Sequence, residues 1–163
     1  MQLEPSYLMP RAVALIRNTT KTIGHILQGV SRADATTYRD GTEGWTVTEI
    51  VCHLRDFGTI FHDRAKRILS EDTPVLAPYD HEQMVIDGRC NEQDVEVVYA
   101  DLVRIYDDLA GFYESIADDQ WDRAGIHPDA GHFPLTKSML QVGTHNALHI
   151  EQMTRVLRQK YSK

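Results

Sequence analysis

Cysteine is scarce in this chain, which limits how its fold can be stabilised. Only Cys52 and Cys90 occur among 163 residues. Two cysteines do not make the disulfide framework of a small secreted domain, so we interpret both as reduced thiols. A chain of this length can bury a sufficient core without cross-links. The sequence therefore predicts a single domain over residues 1–163.

Long apolar runs and a secretion signal are also missing. No segment approaches the ~20 apolar residues that a membrane-spanning helix needs, so no membrane partner is expected. The segment Met1–Pro5 has neither the basic stretch nor the apolar core of a signal peptide. We therefore expect the protein in the cytoplasm.

Basic residues are fewer than acidic residues in this chain. The chain has 17 Lys and Arg against 24 Asp and Glu, a net charge of −7. The basic residues are dispersed and form no stripe that could follow a phosphate backbone, so nucleic acid is not expected as a partner.

What the chain does contain is helical periodicity in four segments. The first runs from about residue 6 to 30, with Pro10 tolerable only in the first turn. The second begins at Thr46, whose spacing to Glu49 is that of a capping box, and cannot pass Pro74. The third has Asn91 and Asp94 as candidate caps and carries the clearest apolar stripe, formed by Val95, Val98, Leu102, Ile105, Leu109, Phe112 and Ile116.

The fourth segment runs from about residue 136 to 161, with basic residues near its end, where the helix dipole favours cations. No stretch alternates apolar and polar residues over enough positions to predict a sheet. The sequence thus predicts an all-α fold, a four-helix bundle. The connection between helices 2 and 3, about residues 70 to 91, is too long for a hairpin loop, so we expect it to cross the bundle or cover one end.

His145 and His149 lie four residues apart, which places both rings on one face of the fourth helix, within reach of one metal ion. Val142 and Met153 show that this face borders the buried stripe. The alternative is a chance pair, or two histidines that hydrogen-bond in a crowded core. Asn146 offers no general base beside the first histidine, unlike the HExxH motif.

His53 favours the metal, because it borders the apolar stripe of the second helix through Ile50 and Phe57. Burying an uncompensated imidazole costs about 1–3 kcal/mol, whereas one divalent ion satisfies three ring nitrogens together. We therefore predict a metal site made of His53, His145 and His149. Imidazole suits Zn, Ni, Cu and Fe, so the ligands alone do not select the ion.

The remaining candidates have ordinary interpretations. Asp56 is either a second-shell acceptor for His53 or a solvated carboxylate. Trp45 is interpreted as a hydrophobic staple, and Cys52 lies about 100° round the helix from His53, which argues against shared coordination. The other histidines are interpreted as surface residues or, in the last two cases, as loop residues that could stand near the metal's open face: His25, His62, His81, His127 and His132.

Several motifs resemble those of the DinB-like (DinB/YfiT) superfamily. The segment Gly44–Leu54 with Asp56 resembles its W-[ST]-x-x-E-x-x-x-H-L pattern. His127-Pro128, then Leu135-Thr136, then the pair His145 and His149 resemble its H-P turn and terminal H-x-x-x-H helix, and the likeness extends to Tyr79-Asp80 and Trp121.

The resemblance implies a four-helix bundle, a homodimer, and a Zn- or Ni-type ion on the three matched histidines. The superfamily includes thiol S-transferases, mycothiol-dependent isomerases, proposed hydrolases and members without known activity. The resemblance therefore leaves the reaction open.

Three functions compete at this stage, and the first expectation is a metal-dependent enzyme of the thiol S-transferase type. Three histidines leave a coordination position open, at which a small thiol could bind as thiolate and attack an electrophilic substrate. The same ion could instead activate water for hydrolysis, with Asp56, Asp80 or Glu82 as candidate general bases. The third alternative is a non-catalytic, stress-associated domain in which a fourth protein ligand closes a structural site.

Overall fold

In the computed structural model, which describes residues 4–162, four long helices form a bundle and confirm the predicted all-α class. The helices in chain order are α1 (Pro5–Leu27), α2 (Arg32–Thr37), α3 (Val47–Ser70), α4 (His81–Asp87), α5 (Val95–Glu114) and α6 (Leu135–Arg158). Short 3₁₀ turns cover Cys90–Glu92, Asp118–Gln120 and Gln159–Tyr161. The bundle consists of α1, α3, α5 and α6.

The predicted capping box opens α3. The backbone N–H of Glu49 donates to Thr46 Oγ1 at 3.2 Å, and the backbone N–H of Thr46 donates to Glu49 Oε2 at 2.8 Å. Arg39 also donates to Glu49 Oε2, at 2.9 Å. These contacts satisfy free N–H groups of the first turn and fix where α3 begins.

Two predicted helix signals differ from the structure. Pro10 lies inside α1, beyond the first turn, because the helix already begins at Pro5. The cap of α5 is Asp94, whose side chain accepts from the backbone N–H of Glu96. Asn91 instead accepts a hydrogen bond from Thr46 Oγ1 at 2.7 Å and so ties the start of α3 to the crossover.

Each long helix packs against two others. The α1 helix contacts α5 and α6, and α3 contacts the same two, so α1 and α3 lie diagonally opposite each other. Their buried side chains form one hydrophobic cluster, in which Tyr106 and Tyr113 of α5 are the largest fully buried residues. The metal-site candidates lie at the α3–α6 interface.

A short hairpin accompanies the helices, although no stretch of the sequence alternates over enough positions to predict a sheet. Strands β1 (Ala124–His127) and β2 (Gly131–Pro134) pair antiparallel just before α6. Gly131 adopts a φ of +64°, which favours glycine. Strands of four residues are too short to show a clear alternation of apolar and polar residues, so the sequence did not predict them.

The long crossover between α3 and α5 is confirmed. It pairs with the hairpin where Leu76 N donates to the carbonyl of Ile126 at 2.9 Å, and it then forms α4 against α3. Among residues 4–162, no helix combines the length and hydropathy needed to cross a bilayer.

Candidate metal centre

The structure brings the three predicted histidines together. His53 comes from α3, and His145 and His149 come from successive turns of α6. The Nε2 atom of His145 lies 3.2 Å from Nε2 of His53 and 3.2 Å from Nε2 of His149. One nitrogen from each residue lies within 4.8 Å of the other two. Within the described part of the chain, no fourth potential ligand joins this group.

A buried hydroxyl holds the two helices in the register that the cluster needs. Tyr106 Oη lies 2.9 Å from the carbonyl oxygen of Leu54 and 3.0 Å from Oδ1 of Asn146. Leu54 directly follows His53, and Asn146 directly follows His145. The Asn146 amide also donates to Thr19 Oγ1 of α1 at 3.3 Å. This network turns Asn146 toward the core and leaves the neighbouring histidines facing α3.

Aromatic rings pack around the cluster. Phe57 stacks on His145 with ring centroids 3.7 Å apart and planes 5° apart. Trp45 lies 4.7 Å from the His53 ring, so this predicted staple residue is also a wall of the site. Such apolar neighbours keep water away from the imidazoles and stiffen their orientation.

Burial keeps the imidazoles neutral. It lowers the pKa of His53 to about 2, with further lowering by the nearby His149 and His145. It lowers the pKa of His145 to about 3, and that of His149 also falls below its usual range. Neutral imidazole is the form that binds a metal ion.

The donor set fits a divalent transition metal. Each neutral ring nitrogen carries either one lone pair or one proton, so His145 Nε2 cannot satisfy both neighbours at once. Nitrogens on a tetrahedral ion at ~2.0–2.1 Å lie about 3.3 Å apart, close to the two observed contacts. A shared cation therefore satisfies an arrangement that hydrogen bonding alone leaves incomplete.

A hydrogen-bonded chain behind His149 was missed at the sequence level. His149 Nδ1 lies 2.7 Å from Gln152 Oε1, and Gln152 Nε2 donates to Asp40 Oδ2 at 3.0 Å. Arg155 holds Asp40 through two contacts of 2.9 and 2.7 Å. Gln152 follows His149 by three residues, so both lie on one face of α6, and Arg155 follows Gln152 by three. This spacing could have been recognised in the sequence, whereas Asp40 is 112 residues from Gln152.

In the described part of the chain, no comparable hydrogen bond orients the His145 ring. Its Nδ1 atom is buried and has no hydrogen-bond partner among the described residues. Stacking on Phe57 is what orients this ring. The two histidines of α6 are therefore held by different means.

One side of the cluster faces the crossover. His53, Asp56, Tyr79 and His81 line a narrow cleft between α3 and α4. His81 is exposed, as predicted, but its ring lies 5.5 Å from His53, so the surface interpretation missed its place beside the site. His81 also borders an outer groove of about 370 Å³ that Trp45 and Gln152 line.

The remaining candidates lie outside the histidine group. Asp56 accepts from Arg55 Nε at 2.8 Å, and the structure gives it no hydrogen bond to His53 among the described contacts. Cys52 is buried and donates to the carbonyl of Cys90, and both cysteines are free thiols. Asp80 caps α4, and Glu82 lines the outer groove.

The other histidines keep ordinary roles. His25 is exposed, and His62 packs 5.3 Å from the Phe112 ring. His127 Nδ1 accepts from two backbone N–H groups of the hairpin turn, as a loop residue does. His132 lines a larger groove of about 970 Å³ whose lining includes none of the three clustered histidines, so groove size does not mark the site.

Fold and site together define a four-helix bundle with a three-histidine centre that fits a divalent metal. The sequence profile of the DinB superfamily matches residues 14–153, and the chain belongs to that superfamily. It is 29% identical over 124 residues to the Bacillus subtilis protein named "Putative metal-dependent hydrolase YfiT", covering 74% of this chain and 68% of that protein. A protein of Oceanobacillus iheyensis, "Putative metal-dependent hydrolase OB0782", is 24% identical over 125 residues, with 77% and 71% covered.

Solved structures show the same fold. YfiT from Bacillus subtilis, described as "a probable metal-dependent hydrolase with an unusual four-helix bundle topology", superposes with a TM-score of 0.85 at 24% identity, covering 94% of this chain and 87% of that chain. A mycothiol-dependent maleylpyruvate isomerase superposes with a TM-score of 0.74 at 14% identity, covering 93% and 63%.

Proposed function

We propose that this protein is a metal-dependent hydrolase of small molecules, with Zn or Ni on His53, His145 and His149. The observation that carries the proposal is the convergence of three neutral Nε2 atoms. Trp45, His81 and Gln152 lie beside these histidines and also line an open groove. The names of the curated relatives support hydrolysis over the thiol transfer that we first expected. A bound divalent ion would supply a Lewis acid and lower the pKa of a water at its open position.

Other side chains position the metal ligands and shape the site around them. Gln152 orients His149, and Phe57 and Trp45 keep bulk water from the ligand rings. His81 and Glu82 line the outer groove and offer polar atoms to a substrate. Arg55 holds the Asp56 carboxylate in place through a 2.8 Å ion pair.

The groove next to the histidine cluster bears on the substrate class, because Trp45 and Gln152, which contact His53 and His149, line it. The outer groove of about 370 Å³ is at the small end of ligand pockets. Its lining includes one arginine, Arg39, and three glutamates, Glu43, Glu49 and Glu82. This balance favours a small neutral or cationic substrate over a polyanion.

Thiol transfer is the second candidate. The shared fold with a mycothiol-dependent isomerase supports it, because a bundle of this shape accommodates a thiol-dependent reaction in that protein. The partners would be a small thiol and an electrophile. A non-catalytic metal site is the third alternative, and His81 is a group that could close the shell, since its ring lies 5.5 Å from the ring of His53.

An activity panel on protein loaded with zinc or nickel tests these candidates. The panel compares small ester, amide and phosphoester substrates with conjugation of a small thiol to an electrophile. We expect hydrolysis that is lost in His53→Ala and kept in His25→Ala, which removes an exposed histidine away from the site. Conjugation without hydrolysis would overturn the first candidate in favour of the second.

We also propose that the protein is a homodimer in the cytoplasm. Family likeness supports the dimer, and α6 leaves Leu140 and Leu148 38% and 71% exposed. A second copy would cover this apolar surface. Sedimentation at micromolar concentration should give twice the 18.6 kDa chain mass, and a species of 18.6 kDa alone would contradict the dimer.

A further inference from the structure

We infer that Asp40 sets the tautomer of His149 through Gln152, so that Asp40 and Gln152 are positioning residues of the metal centre. The consequence for metal affinity rests on the proposed function. The tautomer itself is a property of the protein without metal and can be measured independently. Neither residue belongs to the sequence motifs that point to the site.

The chain of hydrogen bonds begins with a fixed charge. Arg155 of α6 donates to both oxygens of Asp40, and its side-chain hydrogen bonds hold the pKa of that carboxyl below its usual range. Asp40 is only 24% exposed, and its backbone N–H donates to the carbonyl of Trp45 at 3.1 Å. Asp40 is therefore an ionised group in a defined position, able only to accept hydrogen bonds.

Asp40, which can only accept hydrogen bonds, determines the orientation of the Gln152 amide. Its amino group must face Asp40 Oδ2, 3.0 Å away, because the opposite orientation would place two oxygens against each other. The amide carbonyl then faces His149 Nδ1 at 2.7 Å. The orientation of Gln152 follows from the charge of Asp40.

The amide carbonyl in turn determines where the His149 proton sits. A histidine that offers one ring nitrogen to a metal ion is neutral and carries a single proton on the other nitrogen. A carbonyl at 2.7 Å requires that proton on Nδ1, which leaves a lone pair on Nε2. Nε2 is the atom that faces His145 and His53 in the cluster.

This arrangement matters because it prepares one ligand before metal arrives. A ring with its proton on Nε2 would have to move the proton or rotate before coordination. Groups that hydrogen-bond the outer ring nitrogen of a metal-ligating histidine typically contribute 10–100-fold in metal affinity. His145 has no such partner among the described residues, so within the α6 pair the contribution comes from the partner of His149.

The first experiment compares Asp40→Asn with wild type. Imidazole ¹⁵N spectra of the metal-free protein should show His149 protonated on Nδ1 in wild type and a mixture of both tautomers in Asp40→Asn. Zinc affinity, measured by chelator competition, should fall about 10–100-fold. The matched control is Asp34→Asn, which breaks a 2.8 Å ion pair between Asp34 and Lys160 without touching the chain behind His149, and should change neither readout.

The second experiment exchanges the carboxylate and the amide of the Asp40–Gln152 hydrogen bond. In the double variant Asp40→Asn with Gln152→Glu, the introduced amide can donate to the introduced carboxylate, which again accepts from His149 Nδ1. Tautomer and zinc affinity should both recover toward wild type, an outcome that lost packing or misfolding of the single variant does not produce.

An unchanged His149 tautomer in Asp40→Asn, or no recovery in the double variant, would overturn the inference. Absence of zinc binding by wild type would contradict the proposed function instead, and the nitrogen spectra would still decide the role of Asp40.

Discussion

The Nε2 atoms of His53 and His145 lie 3.2 Å apart across the α3–α6 interface, although 92 residues separate them in the chain. Neither helix can form the cluster alone. The site therefore exists only when α3 and α6 are docked, and the network around Tyr106 makes that docking specific. Stability of the bundle and competence for metal are consequently linked.

Removing the Tyr106 hydroxyl should weaken the fold. Tyr106→Phe keeps the ring but leaves the buried Asn146 oxygen without this donor, at a cost of about 1–3 kcal/mol in the free energy of unfolding. Urea unfolding measures the loss. The control is Tyr161→Phe, at a residue 82% exposed, where we expect less than about 0.5 kcal/mol. Equal effects of the two variants would show that the buried network does not stabilise the bundle.

Acid should destabilise the metal-free protein. The histidine pKa is about 6.5 in the unfolded chain, against about 2 for His53 and about 3 for His145 in the fold. Their contribution is fully present above pH 6.5 and is lost progressively as the pH falls toward 3, because the unfolded chain binds protons that the fold excludes.

Each such histidine contributes a slope of about 1.4 kcal/mol per pH unit in that window. Urea unfolding between pH 7 and pH 5 should therefore show a steep loss, which His53→Ala reduces. A loss of the same steepness in that variant would mean that His53 titrates normally in the fold.

The open coordination position can be tested with cobalt. In cobalt-loaded protein, a small thiol should produce a sulfur-to-metal charge-transfer band, because a coordinated thiol is held as thiolate near neutral pH. The response shows access and does not by itself distinguish thiol transfer from hydrolysis. A spectrum insensitive to thiol, azide and pH would indicate a closed shell and favour the structural alternative, with His81→Ala as the variant that should reopen it.

The sequence predicted the features that rest on local spacing. The spacing of Thr46 and Glu49 predicted where α3 begins. The helical spacing of apolar residues predicted the long helices of the bundle. His145 and His149 could be paired because four residues make about one helical turn, and His53 joined them because it borders a buried stripe. Their assembly in the structure follows the prediction.

What the sequence did not reveal depends on contacts between distant segments. The α4 helix has seven residues, too few for a period, so nothing marked His81 as a neighbour of His53. Asp40 lies in a turn and reaches Gln152 only after α6 has docked. Trp45 was correctly placed before the α3 cap, but its packing against His53 depends on the turn that precedes it.

Metal content of purified protein is the most direct test of the three-histidine centre. Elemental analysis of protein prepared without an affinity tag should give about one divalent transition metal per chain, since the described residues contain a single such cluster. Occupancy should be lost in each of His53→Ala, His145→Ala and His149→Ala and kept in His25→Ala. Full occupancy in any of the first three would remove that residue from the site, and a wild-type protein that holds no metal even after incubation with zinc or nickel would contradict the metal centre itself.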